Sequence, residues 1–280
     1  MIRPIQQHDA FLADIAASKA DPTGFRLWWL GQSGFLLQWA GSHALIDPYL
    51  SDSLTAKYAS TDKPHTRMSE QVVDPARLGE ITVVSSSHNH TDHLDAHTLV
   101  PLMHVNPQMT IVVPEANRTF VADRLKVDVT RLRGIDDGTT VHAGPFTFHG
   151  LPAAHDTLAQ DERGHHKYMG YVIRFGPHAI YHSGDTLLYE GLVERLKPFN
   201  IDVALLPING RAPERRVAGN LWGREAAQLA KAIGASVVIP CHYDMFEFNT
   251  ATPDEFVAEC EKIGQPYKVL QQGERWALLP

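Results

Sequence analysis

An apolar, β-branched run, EITVVSS at residues 80–86, stops at a loop unlike anything else in the chain. From Ser86 to Asp95 the sequence reads SSHNHTDHLD, with His88, His90, Asp92, His93 and Asp95 inside eight residues. A run of this kind reads as a buried strand. The strand must therefore end in a sheet that holds five polar side chains in a defined place. In an extended segment His88 and His90, two residues apart, point to one face and can reach one ion. The turn that follows lets Asp92 and His93 face a second ion nearby. Imidazole and carboxylate suit zinc and other first-row divalent metals. A solvated polar turn is the plain alternative.

Three further segments repeat the pattern of an apolar strand that stops at a potential ligand. LPAAHDTLA carries His155, IYHSGDTLLY carries Asp185 and VVIPCHYDMF carries His242. Each alone would be structural. With the loop they complete two coordination spheres. His88, His90 and His155 would hold one ion, and Asp92, His93 and His242 the other, with Asp185 between them.

Around these points, strand-like and helix-like runs alternate. Strands are expected at 26–30, 35–40, 43–47, 80–86, 110–114, 130–134, 139–144, 146–153, 168–176, 178–184, 202–208, 236–240, 267–270 and 275–279. Helices are expected at 11–20, 96–103, 115–125, 188–196, 223–234 and 253–264. No linker, repeat or low-complexity run divides the 280 residues. One domain over 1–280, built of two mixed sheets with helices outside, is the expected α/β (α+β) layout.

Composition excludes several classes. The net charge is −7 and no Lys/Arg run occurs, which argues against a nucleic-acid partner or an anionic membrane. No window of 18 apolar residues suggests a membrane span. Asp9 and Asp14 interrupt the only candidate leader, so a signal peptide is not expected. Two cysteines, Cys241 and Cys260, are too few for a disulfide framework, and a reduced, cytoplasmic setting is the default. GQSG lacks the spacing of a nucleophile elbow, which leaves a serine hydrolase without support.

The order H-x-H-x-D-H, then H, then D within SGDT, then H, resembles the metallo-β-lactamase superfamily. WWLGQSGF (28–35), ALIDPYLSD (44–52), YHSGD (181–185) and VVIPCHYDMF (237–246) are similar to the L-ascorbate-6-phosphate lactonase-like hydrolases. SHNHTDHLD and GDT are also similar to N-acylphosphatidylethanolamine phospholipase D relatives. The resemblance implies a four-layer αββα sandwich with a dinuclear site at one edge of the sheets, Zn2+ first and Mn2+ as the alternative. His155 falls where the lactonase branch carries a carboxylate. Two ions about 3.5–4 Å apart can share a water and lower its pKa toward ~7. Asp92 is then the catalytic residue that orients this nucleophile and takes its proton. The substrate is expected to be a small polar lactone, ester or phosphodiester. A lipid phosphodiesterase and a non-hydrolytic redox member are the alternatives, although the diiron branch has Glu in place of His90. Homo-oligomerisation is left open.

Other residues carry narrower expectations. Asp47 sits where the superfamily braces its histidine loop, and capping its own strand is the alternative. His182 is a candidate to orient Asp185. Asp95 is expected to cap a helix. Arg211, with Arg215 and Arg216 in INGRAPERR (208–216), is a candidate contact for an anionic substrate. Asn220 is read as a helix N-cap or substrate contact, and Tyr243 and Asp244 as residues facing the cleft. DERGHHKYMG (161–170) reads as a flap whose His165 and His166 are loop residues. Cys241 is expected to be a buried thiol.

Overall fold

The computed structural model describes residues 1–19 and 24–279. In chain order the elements are α1 (His8–Lys19), β1 (Phe25–Gly31), β2 (Gly34–Trp39), β3 (Ser42–Ile46), α2 (Ser53–Tyr58), β4 (Ile81–Ser85), α3 (Ala96–Val105), β5 (Thr110–Pro114), α4 (Arg118–Leu125) and β6 (Leu132–Ile135). The second half adds β7 (Thr140–Ala143), β8 (Phe146–Pro152), β9 (Met169–Phe175), β10 (His178–His182), α5 (Leu192–Leu196), β11 (Val203–Pro207), α6 (Gly223–Ile233), β12 (Val237–Cys241), α7 (Asp254–Ile263) and β13 (Arg275–Leu278).

Two sheets form, in the orders β13-β1-β2-β3-β4-β5-β6 and β12-β11-β10-β9-β8-β7. Side chains alternate faces along a strand, and β1 shows the consequence. Leu27 and Trp29 enter the core shared with the second sheet, beside Phe146, Phe148 and Phe175. Trp28 and Leu30 enter a separate core with Phe11, Leu99 and Leu125 of the outer helices α1, α3 and α4. Ala226, Leu229 and Ile233 of α6 cover the far face of the second sheet. The layers are therefore helix, sheet, sheet, helix, as the resemblance implied.

Strand direction decides where the loops go. β3, β4, β5 and β6 are mutually parallel, and so are β10, β11 and β12. The carboxyl ends of β3 and β4 deliver Asp47 and the 86–95 loop, and those of β10 and β12 deliver Asp185 and His242.

The elements depart from the sequence expectation chiefly in three places. α2 follows Asp52 and was not expected. α5 starts at Leu192, not at residue 188, because Gly191 before it takes φ 86°, outside the helical region. Residues 267–270 do not form a strand: Tyr267 makes one isolated bridge to Val238, and the Lys268 N–H donates to the Val238 carbonyl. The expected last residue of α1, Ala20, lies outside the described residues. No helix among the described residues is long and apolar enough to cross a membrane.

Candidate metal centre

The seven residues read from sequence as ligands meet at one edge of the two sheets. Donor atoms of His88, His90 and His155 lie within 4.8 Å of one another, as do those of Asp92, His93 and His242. A third grouping, His88, His93 and Asp185, ties the two together. Asp185 Oδ1 is 3.3 Å from His93 Nε2, and its Oδ2 is 3.5 Å from His242 Nε2 and 3.7 Å from His155 Nε2. One carboxylate thus faces both groups.

Three of the rings, those of His93, His155 and His88, are oriented by their other nitrogen. His93 Nδ1 stands 2.7 Å from Asp47 Oδ2. His155 Nδ1 is 2.9 Å from the Gly219 carbonyl, so it carries the proton and leaves Nε2 free for an ion. His88 Nδ1 is 3.0 Å from Ser87 Oγ. Asp47 also accepts from the Ser87 N–H at 2.8 Å and from its hydroxyl, and so braces the loop as expected. His182 does not touch Asp185 in any hydrogen bond described. Its Nε2 donates to the Ser33 carbonyl at 2.9 Å, and its Nδ1 accepts from the Gly184 N–H at 3.2 Å. It fixes the turn that carries Asp185. That turn has no room for a side chain at Gly184, where a Cβ would meet Ser87 Cβ at 2.6 Å.

Backbone strain gathers here. Asp47 (φ 42°), His242 (φ 68°) and Gln32 (φ 48°) all occupy the left-handed region that β-carbons disfavour. Gln32 was not foreseen. It sits in the β1–β2 turn, and its amide nitrogen donates to Asp92 Oδ2 at 2.9 Å and lies 3.1 Å from His242 Nε2. A lone Gln in a Gly-flanked turn gives no signal in a sequence; only the return of the chain at His242 reveals it.

The donor set fits cations. His88 Nε2, His93 Nε2 and Asp185 Oδ1 are buried and lack any hydrogen-bond partner. Such an atom costs about 1–3 kcal/mol if nothing satisfies it, and a divalent ion among imidazole and carboxylate donors would satisfy all three. The electrostatics agree. Burial opposes charge on His93 and His242, but Asp185 and Asp92 outweigh it, so His93 is held well above the ordinary imidazole value and His242 is raised to about 9. Burial pushes Asp92 and Asp185 up, and His93 and His242 pull them further down, well below the carboxylate range. Burial and the neighbouring rings of His93 and His90 keep His88 neutral.

The group opens into a cavity of about 470 Å³ whose wall includes His90, Asp92, His155 and Asp185. Lys57, Lys63, Arg124 and Arg216 line the same cavity. Two of them are pinned to the histidine loop: Lys57 Nζ donates to Thr91 Oγ1 at 3.1 Å, and Arg124 Nη1 to the Asn89 carbonyl at 2.7 Å.

Of the narrower expectations, those for Arg211, Asn220 and Tyr243 need correction, whereas those for Asp95, His165, His166 and Cys241 stand. Arg211 does not line the cavity. Its guanidinium makes two 2.7 Å bonds to Glu225 in the first turn of α6, and Arg216 is the arginine of that loop in the wall. The Arg215 side chain lies outside the described residues. Asn220 is not an N-cap, because α6 begins after Trp222; its amide donates to Asn209 Oδ1 at 3.0 Å. Tyr243 faces the core: it is buried, stacked on Trp29 at 4.3 Å, with its hydroxyl on the Leu270 carbonyl. Asp95 caps α3, accepting from the His97 N–H and Thr98 Oγ1. His165 and His166 pair with Asp161 and Asp136, away from the cluster. Cys241 is a buried free thiol.

The chain matches the Beta-lactamase superfamily domain over residues 43–243. A protein of Methanoculleus marisnigri named UPF0173 metal-dependent hydrolase is 30% identical over 243 residues, covering 85% of this chain and 89% of that one. One of the same name from Rubrobacter xylanophilus is 28% identical over 266 residues, covering 90% and 96%. The solved structure of isothiocyanate hydrolase from Delia radicum gut bacteria superposes with a TM-score of 0.71 at 19% identity, covering 91% and 99% of the two chains. At that identity the likeness speaks for the fold.

Proposed function

Since the chain belongs to the metallo-β-lactamase superfamily and is a metal-dependent hydrolase, we propose that it holds two divalent ions and hydrolyses a small polar ester, lactone or phosphodiester. The convergence of seven donor residues from both sheets, with buried His88 Nε2, His93 Nε2 and Asp185 Oδ1 lacking any hydrogen-bond partner, is the observation that carries this reading. His88, His90 and His155 form one position. Asp92, His93 and His242 form the other, and Asp185 faces both. Zn2+ is the first expectation and Mn2+ the alternative.

Bound ions in such a pair acidify a water and polarise the substrate oxygen. The chain's own groups do the rest. Asp92 is partly open to the cavity, with 17% of its side chain exposed, so its carboxylate can orient the attacking water and accept its proton. Asp47 and the Gly219 carbonyl keep His93 and His155 in the tautomers that present Nε2 inward. The cationic wall of Lys57, Lys63, Arg124 and Arg216 supports a polar substrate with acyl or phosphoryl oxygens over the apolar groove that a lipid would need. The lactonase-like assignment rests on the motifs alone.

The test joins metal content to turnover. Protein purified without chelator, then supplied with Zn2+ or Mn2+, should hold two ions per chain and cleave a member of a panel of lactones, esters and phosphodiesters. His88→Ala and Asp185→Ala should each lower turnover by at least about 10³-fold at near-normal helix content, as loss of a metal-activated water implies. An ion content near zero after supplementation ends the proposal.

A further inference from the structure

We propose that Gln32 supplies an additional ligand, its amide oxygen, to the ion position formed by Asp92, His93 and His242. This rests on the reading that the position takes an ion.

The placement of Gln32 is built, not incidental. It is 3% exposed, and a left-handed turn conformation turns it inward. Its carbonyl accepts from the His242 N–H at 3.0 Å and from Trp29 Nε1 at 3.0 Å. The backbones of Gln32 and His242 are thus tied together, so their side chains hold a fixed relation. The end of the Gln32 side chain lies 2.9 Å from Asp92 Oδ2 and 3.1 Å from His242 Nε2, while those two atoms are 3.6 Å apart. It stands closer to each donor than they stand to each other.

That closeness creates a conflict which only one arrangement resolves. In the ion-free centre the Gln32 N–H donates to Asp92 Oδ2, but a cation on the Nε2 lone pair of deprotonated His242 would stand beside that N–H. An N–H cannot face a cation. Rotation by half a turn about the terminal torsion exchanges the amide nitrogen and oxygen with no change of shape, and that torsion is broad and two-fold. The N–H orientation then belongs to the ion-free centre and the oxygen orientation to the loaded one. A neutral carbonyl oxygen beside a carboxylate adds hard-donor character. The Asp92 position should therefore favour Mn2+ relative to Zn2+ more than the three-histidine position does.

The experiment titrates metal-free full-length protein with Mn2+, Zn2+ and Co2+, comparing wild type with Gln32→Leu and Gln32→Glu. Gln32→Leu should keep the first equivalent and weaken the second by about 10–100-fold, more for Mn2+ than for Zn2+. The visible spectrum of the second Co2+ should change as a donor is lost. Gln32→Glu should bind the second ion at least as tightly as wild type. An unchanged second affinity in Gln32→Leu overturns the proposal. So does weaker binding with an unaltered Co2+ spectrum, which would leave Gln32 a hydrogen-bond donor to Asp92. A wild type that takes fewer than two ions overturns the underlying reading, and the titration of wild type alone separates that failure from a failure of Gln32.

Discussion

His93 meets Asp47 on one ring nitrogen and the cavity cluster on the other, so a single carboxylate fixes which nitrogen can bind an ion. Asp47→Ala should lower metal affinity by about 10–100-fold, read by competition with a chromophoric chelator. Protonation competes with the ions in a calculable direction. In the metal-free protein His242 is raised to about 9 from 6.5. Its contribution to stability is complete below about pH 6.5 and is lost as pH rises through about 9. Asp92 and Asp185 are depressed below 3.8, so their contribution is present above that value and fades as pH falls through the lowered ones. The melting temperature of chelated protein should accordingly drop between pH 7 and 10, and bound ions should remove most of that drop. Thermal melts with and without chelator across this range decide it. The histidines and aspartates of the centre were legible in the sequence because they gather where four apolar strands stop, and a rigid sheet aims them there. Gln32 and Tyr243 were not. The role of Gln32 depends on His242, 210 positions away, and the burial of Tyr243 depends on stacking against Trp29.

Among the elements, α6 shows how a loop charge can be misread. Arg211 lies on the loop expected to meet substrate, yet Glu225, the third residue of α6, takes its guanidinium and also accepts from the Trp222 N–H at 2.9 Å. The pair caps the helix start. With 42% of the Arg211 side chain exposed, the ion pair contributes less than about 1 kcal/mol. Arg211→Ala should therefore lower the unfolding midpoint slightly and leave the ratio of KM values for anionic and neutral substrates unchanged. A selective rise in KM for the anionic ones would restore Arg211 to the site. Strand positions were readable from short apolar, β-branched runs bounded by turn residues. The weaker elements depended on context: a glycine in the left-handed region sets the start of α5, and residues 267–270 carry a strand-like composition but gain only one bridge.

Across the whole molecule, the two sheets share a continuous apolar core, but the polar cluster joins them along one edge only. Residues 88–93 follow β4 of the first sheet, whereas His155, Asp185 and His242 follow β8, β10 and β12 of the second. Ions bound there at about 100 times their dissociation constant would add about 2.7 kcal/mol, and chelation should lower the melting temperature by about 5–10 °C. Differential scanning calorimetry before and after dialysis against chelator measures this; an unchanged midpoint would mean that no ion binds the native state in preference to the unfolded one. The layered architecture was legible because strand-like and helix-like runs alternate through both halves of the chain and the motifs resemble a family of known layering. The contour of the cavity was not, since Lys57, Phe120 and Arg216 reach it from three distant segments. With ions in the centre as proposed, one edge would be fastened by metal while packing alone holds the rest of the two sheets together, like a book with a clasp. Unfastened, it should breathe first along the margin where substrate enters, so hydrogen exchange after chelation should quicken at residues 86–95 and 182–187 while β1 and β9 stay protected.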